Sequence, residues 1–514
     1  MPSQSLKPET SAPTPLDEAP TLPDARRRRV FIGLLLAMFL GALDQSIVAT
    51  ALPVITTELG GLDHLTWVVT AFMLTSTISA PMLGKLSDLY GRKPFFALSV
   101  VIFVGASLLC GLAHSMIAVV LARGLQGIGA GGLMTLSQTL VSSIVPARDR
   151  PRYQGFFTGT FAVSSVAGPL LGGAITTHLS WRWIFLMNLP LGIASLLLVL
   201  GALPRTPRAG EASVDYVGAA LITAGTSALL LLFNAADIPA VASPLARTML
   251  GVSAIGAFAL LYFVERRVRQ PIIDLKLFRI VPYAACVSAS GIMSFAMMGS
   301  LVFMPLYYQL VLGESPTQSG AMTLPQVAMM MLTSIVGGRF ASNGRRLNTI
   351  LVLGVGLECA GLVLLAWFAH RGASAGAFLL TMGVLGSGMG MGMSTATVIV
   401  QNSVTDAVRG SATATMSFVR SLGGSLGAAV SGGVMAFVLN AQLATLGTQF
   451  DVRAFLDHGL SAISALPHAQ QSLIVEVYRA AIGASLVAGG VMMFLGFLIV
   501  LRLASLTARA KDRA

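Results

Sequence analysis

The chain has 514 residues, of which 55% are hydrophobic and only 11% charged, and its mean hydropathy is +0.79. This composition excludes a string of soluble domains. The formal net charge of +12 would suggest nucleic acid in a soluble chain, but here it asks whether Lys and Arg gather on one side of a membrane.

Residues 1 to 24 hold six prolines and no apolar period, and Arg26 to Arg29 follow, so 1–29 is expected to be a disordered tail. The apolar run from Val30 to Leu52 is too long for the core of a signal peptide and comes after that tail, which describes an uncleaved first span. Apolar runs bounded by charge, Pro or Gly then predict spans near 30–52, 65–84, 95–113, 115–137, 155–176, 182–203, 216–236, 246–265, 283–311, 319–338, 348–369, 375–400, 410–438 and 480–501, fourteen in all. With that count, 26 of the 33 basic residues fall on the side of the N-terminus and five on the other, while Arg123 and Arg420 lie within spans. Such a bias expects both termini in the cytoplasm of a bacterial plasma membrane. The outer connection 440–479 reads as a short amphipathic hairpin, or as a docking site for a periplasmic adaptor. Cys110, Cys286 and Cys359 all sit in apolar runs, and no His/Cys/acid cluster is present, so no disulfide framework, metal or cofactor is expected.

The first span carries one carboxylate, Asp44. A charge at mid-membrane costs about 2.5–3.5 kcal/mol even on a mild insertion scale, so it needs a job or a partner. The fourth span offers Arg123, at matching depth and opposite sign. If the two helices are neighbours each charge offsets much of the other's burial, as a purely structural ion pair would also do. Gln45, Ser46, Gln126 and Gln138 give these charges a polar surround. The first cytoplasmic connection, Gly84 to Lys93, has two glycines seven apart for a tight turn, with Asp88 able to cap a helix or meet an Arg and Arg92 and Lys93 holding the inner face. A weaker copy at 337–346 keeps Gly337, Gly344, Arg345 and Arg346 but has Ala341 where the acid should be, which implies an internal parallel repeat. The fifth span holds Gly155, Gly159, Gly168, Pro169, Gly172 and Gly173, suited to close helix approach and a bend. Trp181-Arg182-Trp183 opens the sixth as an expected interfacial anchor.

The segments LDQSIVATALP (43–53), GKLSDLYGRK (84–93), RGLQGIG (123–129) and GTFAVSSVAGPLLGG (159–173) resemble four motifs of the major facilitator superfamily, in order. Two extra central spans, together with residues 304–326 and 418–432, resemble its fourteen-span drug:proton antiporter family, and the likeness covers residues 30–503. The resemblance implies an all-α membrane protein with a six-helix bundle over 30–203, two inserted helices within 204–280, a second bundle over 281–503 and a cytoplasmic tail from 504 to 514. It also implies that spans 1, 4, 9 and 12 line a central cavity, with Asp44 and Arg123 as cavity neighbours. Gly84, Asp88, Gly91 and Arg92 would latch the halves, and Gly159, Gly168, Pro169, Gly172 and Gly173 would form an antiporter motif. Ser164 departs from the glycine common in that motif and is expected to loosen one helix contact.

Expected cavity residues are Gln45, Gln126, Gln138, Met297, Met304, Tyr308, Met389 and Met393, since Met suits a surface that accepts many apolar shapes. Glu358, in span 11, is a second protonation site or simply an uncharged buried carboxyl. Arg420, in span 13, is open to contact with substrate, the opposite bundle or lipid phosphate. The expected function is proton-coupled export of lipophilic cations or amphiphiles by a monomer, with Asp44 loading and releasing the proton and with no nucleic acid involved. The alternatives are a dedicated exporter of one antibiotic, siderophore or lipid, an importing symporter, and a non-transporting sensor or scaffold. An intramembrane enzyme lacks a nucleophile and base on the cavity spans.

Overall fold

The computed structural model describes residues 23–60, 64–203, 215–233, 241, 243–341, 347–445 and 468–512. Among these, fourteen helices are long and apolar enough to cross a membrane. In chain order they are α1 (Asp24–Leu59), α2 (Leu65–Tyr90), α3 (Arg92–Gly111), α4 (Met116–Ile144), α5 (Arg150–His178), α6 (Trp183–Ala202), α7 (Tyr216–Phe233), α8 (Pro244–Glu265), α9 (Val281–Leu310), α10 (Thr317–Ala341), α11 (Leu347–Arg371), α12 (Ala375–Asn402), α13 (Asp406–Gln442) and α14 (Gln471–Leu506). The count agrees with the apolar runs, because a span of about 20 residues is written into composition alone.

The boundaries differ where helices continue past the apolar stretch. α1 starts at Asp24, so Arg26 to Arg29, expected in a disordered tail, form its first turns. It also runs beyond Pro53 to Leu59. The last helix continues to Asp512, well into the expected C-terminal tail. The expected hairpin of the outer connection lies largely in 446–467, outside the described residues. Residues Gly344, Arg345 and Arg346 of the second loop copy lie outside them as well.

α1 to α6 surround two apolar cores, one built around Phe96, Phe103 and Phe157 and the other around Trp181, Ile184 and Phe185. α9 to α14 share a larger core that includes Tyr283, Tyr307, Tyr308 and Phe378, with a smaller cluster of Leu439, Ile474, Val477 and Tyr478 between α13 and α14. α7 and α8 pair with each other and lean on α2 and α13, where Ile222, Leu261, Ile272 and Phe418 cluster. Large apolar side chains stand exposed around the outside, among them Leu121, Leu170, Ile255, Leu380 and Phe437, as a lipid-facing surface requires.

The two halves meet along α5 with α10 and along α2 with α13. A Cβ on Gly155 would overlap the Ser334 backbone, and one on Gly338 would lie 2.9 Å from the Pro151 carbonyl carbon. Only glycine lets these backbones approach so closely. Both contacts lie at the helix ends on the side of the N-terminus, which is here called the inner side.

Candidate functional site

Asp44 and Arg123 are paired inside the first half, with side chains 0% and 2% exposed. Arg123 Nη1 donates to Asp44 Oδ2 and, at 2.7 Å, to Gln126 Oε1. Gln126 Nε2 donates back to Asp44 Oδ1 at 2.8 Å and to Ser107 Oγ at 2.7 Å. Asn188 Nδ2 reaches the same two acceptors at 3.0 and 3.2 Å. The guanidinium also lies 4.0 Å from the centroid of the Phe72 ring, which adds a cation–π contact. Each polar group here has a partner, as a buried charge requires. The matching depth expected of the two charges holds although α1 extends further outward than its apolar run. Ser107, on α3, was not singled out from sequence, and Asn188, on α6, stood out there only as part of Asn188-Leu-Pro190, with no role assigned to it. Asn188 opens the longer helix Asn188–Ala202, just after the interruption at Met187 that separates it from the short helix Trp183–Leu186.

A cavity of about 220 Å³ lies between the halves. Gln45, Gln138, Met297 and Met393 line it, as expected, and so does Arg420. Asp44, Arg123 and Gln126 do not, so the expectation that the charge pair faces the cavity is corrected. These three are held between α1, α3, α4 and α6, because satisfying Asp44 takes donors from within its own half. Met304, Tyr308 and Met389 are also fully or nearly fully buried away from it. Tyr308 packs edge-on to Phe378 of α12 at 6.0 Å, Met304 belongs to the same core, and Met389 Sδ accepts from Gln326 Nε2 at 3.3 Å. α2, α5, α10 and α13 contribute further lining, including Phe72, Phe157, Phe161, Met330 and Ser421. The lining therefore holds no carboxylate that could pair with the lipophilic cation expected as substrate.

The inner end of the cavity is closed by polar contacts between halves. Gln401 Nε2 donates to the Gln138 carbonyl at 3.2 Å, and Gln154 Nε2 donates to Gln401 Oε1 at 3.3 Å. Nearer the inner surface Arg150 Nη1 donates to Asn402 Oδ1 at 2.7 Å. Asp88 then meets the start of α13: its carboxylate accepts from the Gly410 and Ser411 backbone N–H groups at 3.1 and 2.7 Å. These donors have no partner within their own helix, and the positive end of the helix dipole adds to the attraction. Arg92 holds Asp88 at 3.3 Å and the Asp406 carbonyl at 2.6 Å. Asp406, which Arg409 also pairs with, was not singled out from sequence. Gly84 packs against Gly410 and Ala414 of α13 so closely that a Cβ there would overlap Ala414 Cβ, and Gly91, at φ 100°, turns the chain from α2 into α3. Lys93 Nζ caps the end of α6 by donating to the Leu200 and Leu203 carbonyls at 2.8 and 2.6 Å.

The glycines of α5 divide by partner. Gly168 and Gly172 face Ser46, Ile47 and Thr50 of α1, Gly159 faces Met331 of α10, and Gly173 faces open space. Pro169 lies exposed inside the helix. Ser164 is buried against α1 and its hydroxyl adds a contact there instead of removing one, Oγ donating to the Phe39 carbonyl at 3.4 Å, while Ser46 Oγ donates to the Ser164 backbone carbonyl at 2.9 Å, a bond that glycine would also accept. Trp181 is a buried strut, not an interfacial anchor: its Nε1 donates to Glu58 at 2.8 Å, and Arg182 pairs with the same carboxylate. Glu358 is fully buried against α12, and neither carboxyl oxygen has a hydrogen-bond partner among the described residues. Among those residues no group of three or more His, Cys, Asp or Glu could hold a metal.

A family model described as Major Facilitator Superfamily matches residues 34–428. Multidrug transporter protein MdtP of Bacillus subtilis is 33% identical over 415 residues, covering 80% of this chain and 76% of the relative. Multidrug resistance protein 3 of the same organism is 32% identical over 429 residues, covering 82% of each. Among solved structures, that of the proton:xylose symporter XylE superposes with a TM-score of 0.62 at 14% identity, covering 93% of this chain and 96% of that one, which is a likeness of fold alone.

Proposed function

Because this chain belongs to the major facilitator superfamily and is a multi-pass membrane transporter, we propose that it exports lipophilic small molecules in exchange for protons by alternating access. The observation that carries this reading is a cavity between two helical halves, closed at the inner end by a cluster of contacts between those halves. The printed names of the relatives support export of drugs.

With the basic-rich side taken as cytoplasmic, the arrangement corresponds to a state closed toward the cytoplasm. Release of Asp88 from the start of α13 would let α2 and α13 part, opening the cavity inward. Proton coupling is assigned to Asp44. A proton there removes the charge that Arg123 pairs with, so the tie between α1 and α4 is strong in one protonation state and weak in the other. The change reaches the cavity through neighbours in the chain, because Gln45 and Gln138 on those helices line it. Glu358 is a second proton-binding candidate, outside the cavity lining. Exchange for protons, as against import with them, rests on the α5 glycine motif. No adaptor protein is required by this reading, and the monomer contains the whole cavity.

The test is efflux of ethidium and of an uncharged lipophilic dye from energised cells or everted vesicles, with a protonophore control and Asp44→Asn alongside. Efflux that the protonophore stops and that Asp44→Asn lacks at normal expression supports the reading. Uphill efflux by Asp44→Asn would remove Asp44 from the coupling, and accumulation in the opposite direction would replace export by import.

A further inference from the structure

Of the residues that line the cavity, Arg420 alone carries a charge. Among the described residues its one hydrogen bond runs from Nη2 to the neutral Thr397 Oγ1 at 3.2 Å, within the same half, and its buried Nε has no acceptor there. No carboxylate pairs with it among the described residues. A guanidinium has five N–H donors and cannot shed its charge, so leaving it largely unpaired in a confined site is costly. The second half does have a buried carboxyl, Glu358, yet that group does not line the cavity.

We propose that Arg420 anchors an acid group on the transported molecule, so that the substrate class is an organic anion with an apolar body. The proposal rests on the export reading above and names what that cavity takes. Ser417 stands three residues before Arg420 on the same helix face and also lines the cavity, so its hydroxyl can complete the coordination of a carboxylate, sulfonate or phosphate ester. Met297, Met298 and Met393, with Phe161, offer the apolar remainder a soft wall. Charge movement gives a separate consequence. One monovalent cation exchanged for one proton moves no net charge, whereas one monovalent anion leaving as one proton enters moves two charges down an inside-negative potential.

The experiment compares a naphthalenesulfonate dye, its uncharged sulfonamide and ethidium, using the purified full chain. Binding is measured in detergent by equilibrium dialysis, and transport in proteoliposomes with an imposed potential, pH gradient or both. Wild type is expected to bind the sulfonate about tenfold or more tightly than the sulfonamide. Arg420→Gln is expected to lose that preference while holding the sulfonamide as before, and Arg420→Lys to keep part of it; thermal melting of each variant separates this from misfolding. Sulfonate export should respond to potential without a pH gradient. Equal binding of sulfonate and sulfonamide by wild type, or an unchanged preference in folded Arg420→Gln, overturns the proposal. Protonophore-sensitive ethidium export with no sulfonate preference leaves the export reading standing without it. An Arg420-dependent sulfonate preference with no transport of any dye supports the anion site and overturns export.

Discussion

Asp44 accepts from three side chains on two other helices, so each donor can be removed in turn and the consequence ordered. Arg123→Ala leaves the carboxylate with two amides and no counter-charge. Breaking a buried pair this way costs about 3–5 kcal/mol, which is expected as a clear fall in melting temperature along with loss of transport. Asn188→Ala removes one charge-assisted bond, worth about 1.5–3 kcal/mol, and is expected to lower the melting temperature less than Arg123→Ala does. Glu358→Gln keeps the shape of a side chain with no hydrogen-bond partner among the described residues, so its melting temperature is expected to hold or rise; a fall would reveal a partner for that carboxyl. The charges themselves were legible in the sequence, since Asp44 and Arg123 interrupt apolar runs where any charge is conspicuous. Asn188 and Ser107 were not, because uncharged polar residues are ordinary in spans and only geometry shows which of them meet an acid.

At the scale of the helix, close approach is set by where a Cβ has room. A Cβ on Gly168 would lie 2.7 Å from Ser46 Cβ, while one on Gly173, five residues on, would meet nothing within 4 Å. Gly168→Ala is therefore expected to impair folding or transport, and Gly173→Ala to be silent in both, read by expression and dye efflux. Asp88→Asn tests the inner closure. The amide presents less negative charge to the start of α13, so a cysteine placed at Gln154 is expected to label faster from the inner side; unchanged labelling would mean that Asp88 does not hold the halves together. The Gly84 to Lys93 segment was readable as a tight turn bearing charge. Its counterpart, the Asp406 to Ser411 segment, was not, because a pairing across more than 300 positions leaves no local pattern. Nor did apolar runs tell which face of α9 or α12 is wet. Met297 and Met393 line the cavity, while Met304 and Met389, two turns or one turn away on the same helices, are core.

For the molecule as a whole, the count of fourteen spans followed from hydropathy, since crossing length is a property of composition. The relation between the halves did not, because it depends on small residues meeting across α5 and α10 and on amides meeting across the cavity floor. The latch contacts and the cavity charge share one further property. Gly410 and Arg420 belong to the same unbroken helix, ten residues apart, which is about 15 Å of axial rise. A stiff rod cannot be pulled at one end without the other end feeling it. Whatever binding free energy a ligand at Arg420 gains from a small tilt of α13 is set against the grip of Asp88, and by reciprocity the state of that grip sets how tightly the ligand is held. Asp88→Asn is thus expected to change ligand affinity at a site it never touches, and a helix-breaking residue placed midway, at Thr415, is expected to make the two ends deaf to each other.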